Sequence, residues 1–212
     1  MAMDVEPSAH SPQPSTQQRG RGDRVARTRE AIVSSTLGLA QGGDVAPIVR
    51  DIAERAGVSA RTVFQHFADT AQLYLEVLER VVSTLIGETP DLNRQWPLDQ
   101  RIAVVVGHRA ERYEAVRPMW TFMQTLQRRS AEAAARIVAF YAGNREQIAD
   151  SFSPELSALA GEKRERTLNA LSVALAPESW NVLRERLGLT VDQAREEWHF
   201  IVKAVFSDDH GR

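Results

Sequence analysis

Ile48 to Phe67 reads IVRDIAERAGVSARTVFQHF. The spacing of Ile48, Ile52, Ala53 and Ala56 predicts an amphipathic helix over 48–56. Gly57 ends it, because a residue without Cβ enters positive φ freely. Ser59 is positioned to cap a second, short helix over 60–66. Ala56 is small where the two helices must come close, Val58 plugs the angle between them, and Val63 packs back on the first. A glycine turn alone would suit any helical corner; the whole array is the recipe of a helix-turn-helix, whose second helix can lie in the DNA major groove. The outward residues of that helix are Ala60, Arg61, Thr62, Gln65 and His66. Arginine pairs bidentately with guanine and glutamine with adenine, while threonine reaches a phosphate or a thymine methyl.

The flanking sequence is also helical. Residues 24–41 place Ile32, Val33, Thr36, Leu37 and Ala40 on one stripe, stopped by Gly42-Gly43. Residues 70–86 carry Leu73, Tyr74, Val77, Leu78, Val81, Val82 and Leu85 at helical spacing. Gly87 to Pro97 reads as a loop. Beyond it, helices are expected at 98–116, 118–128, 131–150, 154–176 (with Gly161 as a candidate break), 177–187 and 191–206. Thr190 and Gln193 match a capping box. No alternating strand pattern is evident, so the fold class is all-α. The expected division is a disordered tail over 1–22, a helix-turn-helix domain over 23–69 and a helical ligand-binding and dimerisation domain over 70–212.

Composition narrows the function. The chain has 212 residues, 43% of them hydrophobic, no cysteine and a net charge of −2. That suits a soluble globular protein and excludes disulfide frameworks and thiolate chemistry. No apolar run approaches a membrane span and no secretory core opens the chain, so no membrane association and a cytoplasmic location are expected. The five histidines are scattered without metal spacing, and neither a phosphate loop nor a nucleophile elbow is present. No cofactor, no metal site and no enzymatic activity are expected. Local charge differs from the total: Arg19 to His66 holds eight arginines against five acids. Arg19, Arg21, Arg24, Arg27 and Arg29 make a basic arm that either follows DNA or merely solubilises the tail.

Ile52-Ala53, Ala56-Gly57-Val58-Ser59, Thr62, Phe64, His66-Phe67 and Leu73 together resemble the DNA-binding domain of TetR-family transcriptional regulators, over residues 27–82. Ile48 stands where that family often has Thr, Phe64 where Tyr is common, and Thr70 where many members have Lys. Pro47 is expected to help start the first helix in place of a threonine cap. The candidate DNA contacts are Arg24, Arg27, Val49, Arg50, Ser59, Ala60, Arg61, Thr62, Phe64, Gln65 and His66.

The resemblance implies a homodimer on a palindromic double-stranded DNA operator, joined through its last long helices, here 163–176 and 191–206. The second carries Ala194, Trp198, Ile201, Val202 and Val205 on one stripe, which a monomer core would need as well. The resemblance also implies a small-molecule effector of unknown identity bound inside the helical region 96–152. Trp96, His108, Arg112, Tyr113, Trp120, Met123, Phe140 and Tyr141 are the candidate contacts, Arg109 or Arg112 being suited to an anion. The expected function is a regulator, more readily a repressor than an activator, released by its ligand. The alternatives are a ligand-independent DNA-binding protein of the same fold, or a helical enzyme or interaction module with a vestigial helix-turn-helix.

Overall fold

The computed structural model describes residues 16–87, 90 and 92–207, and every regular element among them is helical. α1 (Thr16–Gln41), α2 (Val49–Ala56), α3 (Ala60–His66) and α4 (Thr70–Ile86) come first. After a loop follow α5 (Leu98–Val116), a 3₁₀ turn at Arg117–Met119, α6 (Trp120–Arg129), α7 (Ala131–Ser151) and α8 (Ser153–Ser157). Then come α9 (Gly161–Ala174), α10 (Pro177–Asn181), a π-helical turn at Val182–Arg186 and α11 (Val191–Ser207).

Several start and stop signals act as expected. The Thr190 and Gln193 side chains each accept the other's backbone N–H, at 3.2 and 2.9 Å, which closes the capping box of α11. The expected helix over 154–176 breaks before Gly161, where φ is +48°. Asp69 caps α4 by accepting from the Gln72 amide at 2.8 Å.

Three expectations need correction. α1 begins at Thr16, well before residue 24, so Thr16–Gly22 are helix rather than tail. With Ile32, Val33 and Ala40 docked in the core, each further residue extends an existing helix without a new nucleation cost. Residues 1–15 of the expected tail lie outside the described residues. The helix expected over 118–128 starts instead as a 3₁₀ turn around Pro118, and that expected over 177–187 ends in a π turn.

α4 is the structural spine. It packs on α1, α5 and α7, and Leu73, Val77 and Leu78 are completely buried. α11 packs on α5 and α9. There Trp198 is completely buried, its ring 4.6 Å from that of Trp180 and 5.8 Å, edge-on, from that of Tyr113.

Arg29 is not part of a free arm. Its guanidinium donates to the His66 carbonyl at 2.6 Å, pairs with Glu76 and lies 4.1 Å above the Phe67 ring. It therefore ties α1, the end of α3 and α4 together. Arg80 adds a two-pronged pair with Glu30, both contacts 2.6 Å, between α4 and α1. The Arg80 hydrogen bonds, aided by Ser34, hold the Glu30 carboxyl down at about 2.

Candidate nucleic-acid interface

The first helix of the motif buries Ile52 and Ala53. Ile48, expected on that buried stripe, is instead the non-helical residue before α2 (φ −82°, ψ 153°) and is half exposed. It supplies no side-chain cap. Pro47 lies one position further out, buried, so it does not occupy the first helical position. It acts through its carbonyl, which accepts the Tyr74 hydroxyl of α4. The start of the motif is thus fixed by tertiary contact in place of a local cap.

Gly57 ends α2 in the left-handed conformation, φ +67° and ψ 31°. A Cβ there would meet no atom within 4 Å, so backbone conformation rather than crowding requires glycine. The Val58 amide bonds to the Ala53 carbonyl at 3.0 Å. Ser59 then caps α3: its hydroxyl accepts from the Thr62 amide at 3.1 Å and pairs with the Thr62 hydroxyl at 2.8 Å. Val63 faces inward and is buried.

The other side of α3 is open. Ala60, Arg61, Phe64 and Gln65 are exposed. Arg61 and Gln65 stand four apart, one above the other on a single face. Phe64 is 53% exposed, too much for a residue serving the core. One guanidinium fork, one amide and one aromatic ring therefore face solvent from a short, capped rod. Those groups can read a guanine edge, an adenine edge and a thymine methyl or sugar. Thr62 and His66 are half-buried, and the Ser59 and Thr62 hydroxyls are already paired. Arg50 is exposed and bonds Asp51 at 3.0 Å, while Val49 is half-buried against the core. Arg24 and Arg27 are exposed on α1, Arg27 donating to the Asp23 carbonyl at 3.3 Å.

Residues 39–77 match the family model described as bacterial regulatory proteins, tetR family. The matched stretch contains the whole α2–turn–α3 unit. That segment is similar to the DNA-binding part of the family. Two solved structures share the fold with this chain. A transcriptional regulator from Rhodococcus sp. Rha1 is 13% identical, with 85% of this chain and 96% of that one covered at a TM-score of 0.67. A TetR-family transcriptional regulator from Streptomyces coelicolor is 19% identical, with 85% and 83% covered at the same TM-score. No curated protein matches the chain. The family match thus covers the helix-turn-helix and its flanks, and the two solved structures show that the overall fold is shared.

In the C-terminal helices, the residues singled out in the sequence separate into distinct places. Trp120, Met123, Phe140 and Tyr141 converge, with Leu85, Ile137, Gln124, Gln127 and Glu178, around a narrow cavity of about 30 Å³. The Tyr141 hydroxyl donates to the Glu178 carboxylate. Burial, and then that contact, push the Tyr141 phenol well above its usual range. Leu85 also lines a second small cavity with His108, Arg109, Arg112, Gln147 and Ser151. Tyr113 lines neither. It is buried beside Arg109, whose Nη1 donates to the Tyr113 hydroxyl at 3.1 Å. Trp96 stands apart at the start of α5, where its carbonyl accepts from Arg101 Nε at 3.0 Å.

Sequence reasoning missed Tyr74 and Glu178. Tyr74 was legible only as one more residue on the α4 stripe, and Glu178 only as a helix-start acid. An open groove of about 580 Å³ lies between α5 and α11 and includes Phe200. Among the described residues no cluster of His, Asp or Glu is placed to hold a metal ion, and no helix is long and apolar enough to cross a membrane.

Proposed function

We propose that this protein is a TetR-family, homodimeric repressor, released from a near-palindromic operator by a small molecule bound in its C-terminal domain (residues 70–212). One observation carries the reading. α6 walls the aromatic cavity with Trp120 and Met123. From the same helix, Phe122 meets the Tyr74 ring edge-on, and the Tyr74 hydroxyl holds the Pro47 carbonyl just before α2. A ligand that pushes α6 outward therefore pulls on the helix-turn-helix domain, residues 23–69. A change in tilt alters whether two recognition helices meet half-sites about 34 Å apart. A coupling of ~3 kcal/mol weakens binding about a hundredfold, which empties the operator.

In this reading Arg61, Gln65, Phe64 and Ala60 face the bases. Ser59, Thr62, His66, Val49, Arg50, Arg24 and Arg27 lie toward the phosphates. Trp120, Met123, Phe140, Tyr141, His108 and Arg112 surround the effector. Dimerisation is assigned to α9 and α11. The Ala194, Trp198 and Val202 stripe is spent on the monomer core, but Val173 and Phe200 are 73% and 68% exposed. Apolar side chains so exposed on two mutually packed helices suit a self-complementary interface.

Footprinting of the promoter beside the protein's own gene tests the reading. A protected near-palindrome that is vacated on adding a cell metabolite extract supports it; no protected palindrome counts against it. The tightness of the cavity favours one other reading, a ligand-independent DNA-binding protein. A thermal-shift screen separates the two, because a sensor gains stability with its ligand.

A further inference from the structure

The chain treats its buried arginines in two different ways. Arg101 is 2% exposed and fully paired: it donates to the Glu155 carboxylate, the Ser151 carbonyl and the Trp96 carbonyl. The half-buried Arg184 likewise lies against a carboxylate, that of Glu114, at 2.7 Å. Arg109 is 7% exposed, yet its partners are neutral: the Asn144 side-chain oxygen and the Tyr113 hydroxyl. No carboxylate among the described residues pairs with it. A guanidinium taken out of water without a counter-charge is costly to hold. The cavity that Arg109 lines also includes His108 and Arg112, and no described acid lines it. Across Leu85, which lines both cavities, lie Trp120, Met123 and Phe140. The acid on that side, Glu178, is already engaged by the Tyr141 hydroxyl.

We infer that the effector is an amphipathic organic carboxylate: its carboxylate pairs with Arg109, and its apolar body displaces Leu85 and enters the aromatic cavity. The inference rests on the effector reading above and gives it a chemical class. A planar, singly charged carboxylate matches a guanidinium fork, each oxygen accepting one N–H. The body is mainly apolar because Val82, Trp120, Met123, Ile137 and Phe140 make up most of the space beyond Leu85, with Gln124 and Gln127 at its edge.

The test uses the full chain and three probes of one shape and different charge: decanoate, decanamide and decylamine. Their affinities are measured by calorimetry and their effects on thermal unfolding recorded. Decanoate is expected to bind at least tenfold more tightly than the amide, with the amine weaker still. Arg109→Gln should remove that preference while Arg109→Lys keeps part of it. Asn144→Asp guards against a poorly folded Arg109 variant: it places a carboxylate beside Arg109, so it should keep the fold and weaken decanoate at least tenfold without affecting the amide. Equal binding of decanoate and decanamide, or a preference that survives both Arg109→Gln and Asn144→Asp, overturns the anion inference. If the neutral or cationic probe binds instead, and Trp120→Ala weakens it, the effector cavity stands and only its charge class fails. If no probe of any charge binds, both the inference and the cavity reading fall.

Discussion

The Tyr74 ring of α4 meets the Phe122 ring of α6 edge-on, with centroids 5.5 Å apart and planes at 83°. The same tyrosine donates its hydroxyl to the Pro47 carbonyl. One side chain thus joins α6, which helps wall the aromatic cavity, to the residue just ahead of the helix-turn-helix. Tyr74→Phe keeps the ring contact and deletes the bond to Pro47. It should cost about 1 kcal/mol of stability, read by urea unfolding. It should also blunt any ligand effect on DNA affinity, read by fluorescence anisotropy. An unchanged ligand response in this variant would mean that coupling runs elsewhere.

Base reading is assigned to the exposed face of α3. Arg61→Ala and Gln65→Ala should each cost ~1–3 kcal/mol of operator affinity and relax the preference at one base position. Arg24→Ala and Arg27→Ala should behave differently, weakening all sequences alike and flattening the dependence on salt. Binding measured on operator and scrambled DNA across a salt series distinguishes the two patterns.

The turn between the helices should respond to changes that remove almost no contact. Gly57→Ala places a Cβ in open space but at φ +67°, and should cost ~1–2 kcal/mol. Ser59→Ala removes the cap on the Thr62 amide, and should cost ~1 kcal/mol. Denaturant titration gives both values. A neutral Gly57→Ala would show that the backbone relaxes out of the left-handed region.

Phe200→Glu and Val173→Glu place charge on the outer faces of α11 and α9. Both residues are largely exposed in the single chain, so the fold should survive. Sedimentation should then show monomers, with operator affinity falling by at least tenfold as the second half-site is lost. Dimers that persist in the double variant would move the interface away from these two helices.

The chain has three tyrosines, and all three titrate high. Burial is the leading cause at each; the Glu178 contact adds at Tyr141, Asp44 adds at Tyr74, and Arg109 partly opposes at Tyr113. A raised folded-state pKa favours the neutral phenol. The stability it contributes is complete below the unfolded value of about 10 and is lost as pH rises through the raised values. The native protein should therefore show little phenolate absorbance at pH 10, and its melting temperature should fall above that point. Free-phenol titration in the folded protein would contradict the packing around these rings.

Local chemistry made the fold class legible. Helical spacing, Gly57, Ser59 and the Thr190–Gln193 box act within a few residues of one another, so the chain carries their instructions wherever it folds. The same holds for the motif's inward and outward faces at Val63, Arg61 and Gln65. Expectations failed where distant segments intervene. Ile48 looked like a core residue, but the start of α2 is set by Tyr74, 27 positions from Pro47. Arg29 looked like part of a free arm, but Phe67 and Glu76 hold it.

The sequence by itself determined that the chain is all-helical and carries a helix-turn-helix, because period, caps and glycine conformation are short-range properties. Only the tertiary structure decided which of many apolar and basic residues meet. It gathered Trp120, Met123, Phe140 and Tyr141 around one cavity and left Trp96 outside. It also buried Arg109 among neutral partners while giving Arg101 a carboxylate. Those outcomes depend on how whole helices pack across the core, and spacing along one helix does not encode which neighbour its buried face will find.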